Sequence, residues 1–382
     1  MKKIAFIATN EGVPWGGSEF LWSGAAERLA RRGVRVHVSV KDWGTPVKQV
    51  EHLRSVGCRI FLRPTPTFPV RVRRRFLLRG RYELHHVTKI GAGADAIVIS
   101  QAANFDGIAW MEAAASLGLR YAVISQSAAD HLWPPDEIAE RLADSYEGAC
   151  AAYFVSAANL ALTRRQLAAA VSRGCVIRNP FNVRYGARPV WPGDPLEKLS
   201  LACVGRLEPT QKSQDLLIEV LDRPHWRARN VNVTLAGSGQ NERALRRRVA
   251  SLNLPNIEFV GFVDDIEELW SRHHALVLPS RYEGMSLALV EAMLCGRSCV
   301  VTDVGGNRDL VRDNVNGFVA KAPTVDFLDE AMNRAWENRH RLREMGETAA
   351  KDVREWVSPD PVGDFVRELD ALVDGRARTT NA

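Results

Sequence analysis

SRYEGMSLALVEAMLCG, residues 280–296, follows an apolar run, Ala275–Pro279, that reads as a buried strand. The chain then breaks at SRYEG. Ser286 is placed to cap a helix running to about Cys295, with Gly296 ending it. That helix is apolar nearly all round, with Leu287, Ala288, Leu289, Val290, Ala292, Met293 and Leu294, and Glu291 is its one charge. A helix without a polar face is a buried helix, and an unpaired carboxylate inside it costs on the order of several kcal/mol. Glu283 falls in the loop just after a strand, where open α/β sheets bind their ligands. The two carboxylates read either as acceptors for a ligand rich in hydroxyls or as two structural salt bridges, and spacing alone leaves both open.

Outward from this stretch the pattern is regular. Strands are expected near Leu199–Val204, Val231–Ala236, Ile257–Val260, Ala275–Leu278 and Cys299–Thr302, with helices between them. Such alternation means a parallel, doubly wound sheet. Gly205 and Arg206 come directly after the first of these strands, and Lys212 begins the next helix with Ser213. Two cations at the C-terminal edge of a sheet make a diphosphate clamp, Arg as a fork and Lys as a point charge. Either alone would be an ordinary surface charge. Gly237, in Gly237-Ser238-Gly239, marks another strand–helix turn.

The chain opens in the same way, with a strand at Lys3–Ala8, the loop NEGVPWGG, a helix from about Ser18 to Arg32 and a strand at Val34–Val40. Gly16 and Gly17 lie against a helix N-terminus, which suits an anionic group as well as it suits a tight turn. The loop lacks the G-x-G-x-x-G fingerprint, so a nicotinamide cofactor is disfavoured. Strands at Ala96–Ser100, Tyr121–Ser125 and Ala152–Val155 end in polar groups, two of them in Ser100-Gln101 and Ser125-Gln126.

At 382 residues the chain exceeds one core and suggests two domains. We expect the first over residues 1–193, a second over 194–360 after a linker rich in Pro and Gly, and a helix and tail over 361–382. With 46% apolar and 25% charged residues the composition is that of a soluble globular protein. A net charge of +6 suits anionic substrates or a lipid surface, and no nucleic-acid recognition module is present. The run RVRRRFLLRGR, Arg71–Arg81, reads either as a solvated helix face or as a peripheral contact with anionic membrane. Of the six cysteines, Cys58, Cys175, Cys203 and Cys299 sit in apolar strand-like runs and none forms a C-x-x-C pair, so buried, reduced thiols are expected. The short apolar N-terminus does not read as a signal peptide, which implies a cytoplasmic location. Neither an Asp-x-Asp nor an H-E-x-x-H metal motif appears, and His273-His274 reads as a strand edge.

Glu283, seven residues and then Glu291, between a strand ending in Pro-Ser and a segment ending in Gly-Gly, resembles the E-x7-E signature of retaining glycosyltransferases. More closely, it resembles the "family 4" group with the GT-B fold. That fold has two Rossmann-like doubly wound parallel-sheet domains facing a central cleft. GRLEPTQKSQDLL at Gly205, LAGSG at Leu235, FVGFVDD at Phe259 and VTDVGGNRDLV at Val301 match in order, over roughly Leu199–Phe318. The first half matches only in outline. The resemblance implies transfer of a hexose-type sugar from a nucleoside diphosphate sugar, a co-substrate rather than a cofactor, to a glycan or lipid-linked acceptor, without a metal. It implies Arg206, Lys212 and Glu283 as catalytic, with Glu283 on the donor sugar and Glu291 on the ribose. Met285, Ser286 and Leu287 would offer N–H groups to donor oxygens. Gly205 and Gly237 would line the nucleotide site, Phe262 and Val263 would pass the base, and Gly16 and Gly17 would lie under the diphosphate. Gln126 stands where family members often carry histidine, with Gln101 and His131 as further candidates on the sugar and acceptor side. A nucleotide-sugar 2-epimerase of similar fold, or a catalytically weak partner subunit, are the alternatives.

Overall fold

The computed structural model describes residues 1–64, 81–103 and 105–375. Of the basic run, only Arg81 falls among the described residues, at the start of the helix Arg81–Gly91. No described helix is long and apolar enough to cross a membrane.

The chain divides into two units. In the first, Met1–Pro180 with the chain from Asp360, the strands are β1 (Lys3–Ala8), β2 (Arg35–Lys41), β3 (Arg59–Arg63), β4 (Ala96–Gln101), β5 (Tyr121–Ser125), β6 (Ala151–Phe154) and β7 (Gly174–Val176). Among the described residues they form a parallel sheet in the order β3-β2-β1-β4-β5-β6-β7. Phe6 pairs with Val38 on one side and Val98 on the other. A parallel sheet is covered on both faces, which is why β1 is apolar from Ile4 to Ala8 and is buried throughout. The helix Pro361–Val373 completes one covering layer. Phe365 meets Tyr153 edge-on at 5.3 Å, and Val362 packs so close to Gly24 that an added Cβ would lie 3.0 Å away.

In the second unit, Phe181–Pro359, the strands are β8 (Leu199–Val204), β9 (Val231–Ala236), β10 (Ile257–Gly261), β11 (Ala275–Leu278), β12 (Ser298–Thr302) and β13 (Gly317–Ala320). Among the described residues they too form a parallel sheet, in the order β10-β9-β8-β11-β12-β13. The order reverses between β8 and β11, so ligand-binding loops are expected at the C-terminal ends of those two strands.

Two sequence expectations are revised here. β13 was not anticipated, and β3 and β7 were expected only as strand-like runs around Cys58 and Cys175. The change of unit falls after Pro180, not at residue 193, because the segment beyond Pro180 bonds within the second unit. Arg184 pairs with Glu267 at 2.6 Å, and Tyr185 donates to the Arg354 carbonyl at 2.8 Å. The Pro-rich stretch is a loop of that unit.

Candidate functional site

The C-terminal ends of β8, β9 and β10 are pressed together by backbone contacts. The Gly205 amide donates to the Ala236 carbonyl at 2.9 Å, and the Gly237 amide donates to Gly261 at 2.7 Å. A Cβ on Gly237 would sit 2.0 Å from the Gly205 oxygen, so only glycine fits. Phe262, just past β10, is 74% exposed, and Val263 is half-buried.

Beside this edge the structure joins two residues that the resemblance had given separate tasks. Lys212 ends the one-turn helix Pro209–Lys212, where the expectation had it opening a helix. Ser213, left-handed at φ 55°, turns the chain into the helix Gln214–Asp222. Lys212 Nζ meets Glu283 Oε1 at 2.5 Å, and the Ser280 hydroxyl donates to the same oxygen at 2.7 Å. The side chains are 14% and 5% exposed, so the pair is shielded from water. Glu283 Oε2 has no partner among the described residues. Arg206 is more open, holding Gln211 Oε1 at 2.8 Å and lying 3.4 Å from Glu208.

The Gly-Gly pair after β12 supports Glu283 from behind. Gly305 has φ +51°, and its Cβ would lie 2.0 Å from the Glu283 carbonyl oxygen, while the Gly306 amide donates to Gly284 at 2.9 Å. Gly305→Ala is expected to push the Glu283 loop aside, at a cost on the order of 1–3 kcal/mol. Read by calorimetry, that is a fall in Tm of roughly 5 °C. An unchanged Tm would show that the loop yields freely.

Glu291 sits on the helix Leu287–Leu294 and is buried. The Asn182 amide and its Nδ2 both donate to Glu291 Oε1 at 2.9 Å, leaving Oε2 with no partner among the described residues. Burial pushes the Glu291 carboxyl up to about 7. Asn182 was not foreseen; it lies 109 positions away in sequence, and no motif points to it. Ser286 occupies the N-cap position but, against expectation, its side chain makes no capping bond. The amides of Met285, Ser286 and Leu287, where the chain enters this helix, have no backbone partner among the described residues.

The first unit's candidates fare differently. The Gly16 amide donates to the buried Glu19 carboxylate at 3.0 Å, and Gly17 opens the short turn Gly17–Glu19. The chain's own carboxylate thus takes the N–H read as an anion donor. Gln101 is also committed internally, with Nε2 on the Asp106 carbonyl at 2.5 Å and Oε1 accepting from Tyr146 at 2.7 Å. Gln126 is half-committed, since Oε1 accepts from Asn179 at 2.8 Å while Nε2 is buried without a partner. His131 is exposed in the turn after β5. Asp106, unforeseen, accepts from Thr9 at 2.6 Å, and burial pushes its carboxyl up to about 6. His273 and His274 stand just before the start of the interior strand β11 and are buried. His273 lies between Leu269 O at 2.7 Å and Thr234 Oγ1 at 2.8 Å.

Comparison with known proteins adds to this geometry. Residues 192–352 match the family model for glycosyl transferases group 1. An uncharacterized glycosyltransferase of Methanocaldococcus jannaschii is 30% identical over 146 residues, 38% of this chain and 40% of that protein. Poly(ribitol-phosphate) alpha-N-acetylglucosaminyltransferase of Staphylococcus aureus is 25% identical over 161 residues, 42% of this chain and 32% of that one. The chain thus spans two fifths or less of the length of these curated relatives. Among solved structures, Anabaena HepE in complex with UDP and glucose superposes with a TM-score of 0.73 at 18% identity, covering 97% of this chain and all of that one. The lipopolysaccharide outer core galactosyltransferase WaaB in its apo form gives 0.70 at 15% identity, over 98% of this chain and 99% of that one. The chain therefore has the GT-B fold, and its second unit matches the glycosyl transferases group 1.

Proposed function

We propose that the chain is a retaining glycosyltransferase that moves a hexose-type sugar from a nucleoside diphosphate sugar to a hydroxyl of a glycan or lipid-linked acceptor, without a metal. The observation that carries this is the shielded Lys212–Glu283 pair beside a glycine-lined strand edge, with one carboxylate oxygen left unpartnered. HepE, a structural neighbour, is described with UDP-glucose, which makes a uridine donor the first to test.

In this reading Glu283 Oε2 accepts hydroxyls of the donor sugar, and Glu291 Oε2 accepts the ribose diol. The amides of Met285, Ser286 and Leu287 meet donor oxygens, and Phe262 and Val263 pass the base through their backbone. Gly205 and Gly237 let that backbone come close. As the bond from the anomeric carbon to phosphate oxygen breaks, negative charge grows on that oxygen. Lys212 and Arg206, fixed beforehand, stabilise it. The acceptor oxygen bonds to the anomeric carbon on the same face, and its proton passes to the departing phosphate oxygen. No general base is required, so glutamine at position 126, where family members often carry histidine, does not argue against transfer. A glutamine amide cannot shuttle a proton near pH 7.

The test is a thermal-shift screen of nucleoside diphosphate sugars followed by transfer assays. A donor at about 100 times its Kd stabilises by about 2.7 kcal/mol. At least one donor is expected to raise the Tm, and transfer is expected to survive excess chelator. Activity abolished by chelator and restored by manganese would replace the cation clamp with a metal site. Product formed without acceptor would favour the 2-epimerase, and no Tm shift with any donor would sink the reading.

A further inference from the structure

Arg281 and Asp215 have no role in the scheme above, yet they enclose Lys212. The Arg281 amide donates to the Gln211 carbonyl at 2.8 Å. Its Nη1 donates to the Pro209 carbonyl at 2.6 Å and to Asp215 Oδ1 at 2.9 Å, and its Nη2 donates to Asp215 Oδ2 at 2.8 Å. Pro209 lies three residues before Lys212 and Asp215 three residues after it, on the two sides of the left-handed junction at Ser213. Arg281 itself stands two residues before Glu283. One side chain thus ties the loop that carries the sugar carboxylate to both arms of the turn that carries the cation.

We propose that Arg281, held by Asp215, is a positioning residue that sets Lys212 against the donor diphosphate. This rests on the transferase reading. Stability does not account for the arrangement, because the two side chains are 34% and 36% exposed. Ion pairs that open to water contribute little to stability. What the fork does supply is geometry, since a planar guanidinium holds a carboxylate at two points and a carbonyl at a third, which an ammonium cannot do at once. Lys212 needs that support. It sits on a single helical turn, which is marginal alone, and a misplaced catalytic group loses on the order of 10²-fold in rate per ångström.

The test is a double-mutant cycle read by turnover, Tm and calorimetric binding of UDP. Arg281→Lys keeps the charge and loses the fork. It is expected to lower turnover roughly 10- to 10²-fold, with Tm within a few degrees of the parent. In a Lys212→Ala background the same change is expected to cost less than about twofold, because a residue that acts through Lys212 has nothing left to position. Asp215→Asn, which leaves the bond to Pro209, should follow the same pattern with a smaller loss and serves if Arg281→Lys fails to fold. Multiplying losses in the two backgrounds would mean that Arg281 touches the donor itself, and would overturn the proposal. So would turnover within twofold of the parent for both single variants. If the parent and Lys212→Ala bind no nucleoside diphosphate at all, it is the transferase reading that fails, and the proposal falls with it.

Discussion

Lys212→Ala is expected to lower transfer turnover by about 10²-fold or more, by analogy with removal of one preorganised donor from a site of developing charge. Binding of the free nucleoside diphosphate should weaken with it, since the cation faces phosphate in both states. The geometry creates a complication that has to be separated from this. Lys212 is the charge partner of Glu283, which is 5% exposed, so its removal strands a shielded carboxylate. Breaking a buried pair from one side costs on the order of 3–5 kcal/mol. A loss of activity could then reflect a disturbed loop instead of a missing cation. The double variant Lys212→Ala with Glu283→Gln removes the stranded charge. Its Tm should recover toward the parent value while turnover stays low. Turnover within a few-fold of the parent in the folded single variant would take Lys212 out of the site.

How far the sequence foretold this arrangement depended on where a residue lies in its sheet. Interior strands such as β1, β4, β11 and β12 are covered on both faces and read directly as apolar runs. The strand that was missed, β13, and the two that showed only as short runs around Cys58 and Cys175, β3 and β7, are all edges. Edge strands are kept short and carry charges or glycine, which discourages pairing with other chains. β3 is RIFLR, β7 is GCV and β13 is GFVA, so each lacks the pattern that a reader looks for.

The site shows a similar division. Local geometry was legible, including the turn at Gly205, the helix with Glu291 inside it and the Gly-Gly pair after β12. Partnerships across the fold were not. Lys212 and Glu283 are 71 positions apart, and Asn182 and Glu291 109. In the first unit, a polar residue at a strand end was taken to face a ligand. Gln101 shows why that inference is weak, since a buried amide must satisfy both of its ends and finds partners inside the unit first. Gly16 makes the same point, because Glu19, three residues on, had the reach to fill its amide.

The roles of the two carboxylates separate by substitution and by pH. Glu283→Gln keeps the shape but weakens an acceptor that matters most as the sugar becomes cationic. It is expected to lower turnover far more than affinity for UDP, which carries no sugar. Glu291→Gln should do the reverse, since a ribose contact is present with or without the sugar. Glutamine can still accept both Asn182 bonds through Oε1, so the fold should tolerate it. Stability should in fact rise in one pH window. The buried carboxyl titrates at about 7 against an ordinary 4.5. The unfolded chain therefore releases this proton first as pH rises, and the folded state loses stability between those values. Glu291→Gln has no such loss, so its Tm should exceed the parent's at pH 8 and not at pH 4. The same titration reaches the ligand. A diol donates to the ionised carboxylate, so UDP should bind the parent more tightly as pH rises through about 7. The terminal phosphate of UDP titrates nearby, with a pKa of about 6, and Glu291→Gln, which retains only that phosphate effect, is the control. Calorimetric titrations at pH 6 and 8 on both proteins decide the matter. Equal pH dependence in the two, or equal loss of UDP affinity in the Glu283 and Glu291 variants, would dissolve the division of labour between sugar and ribose.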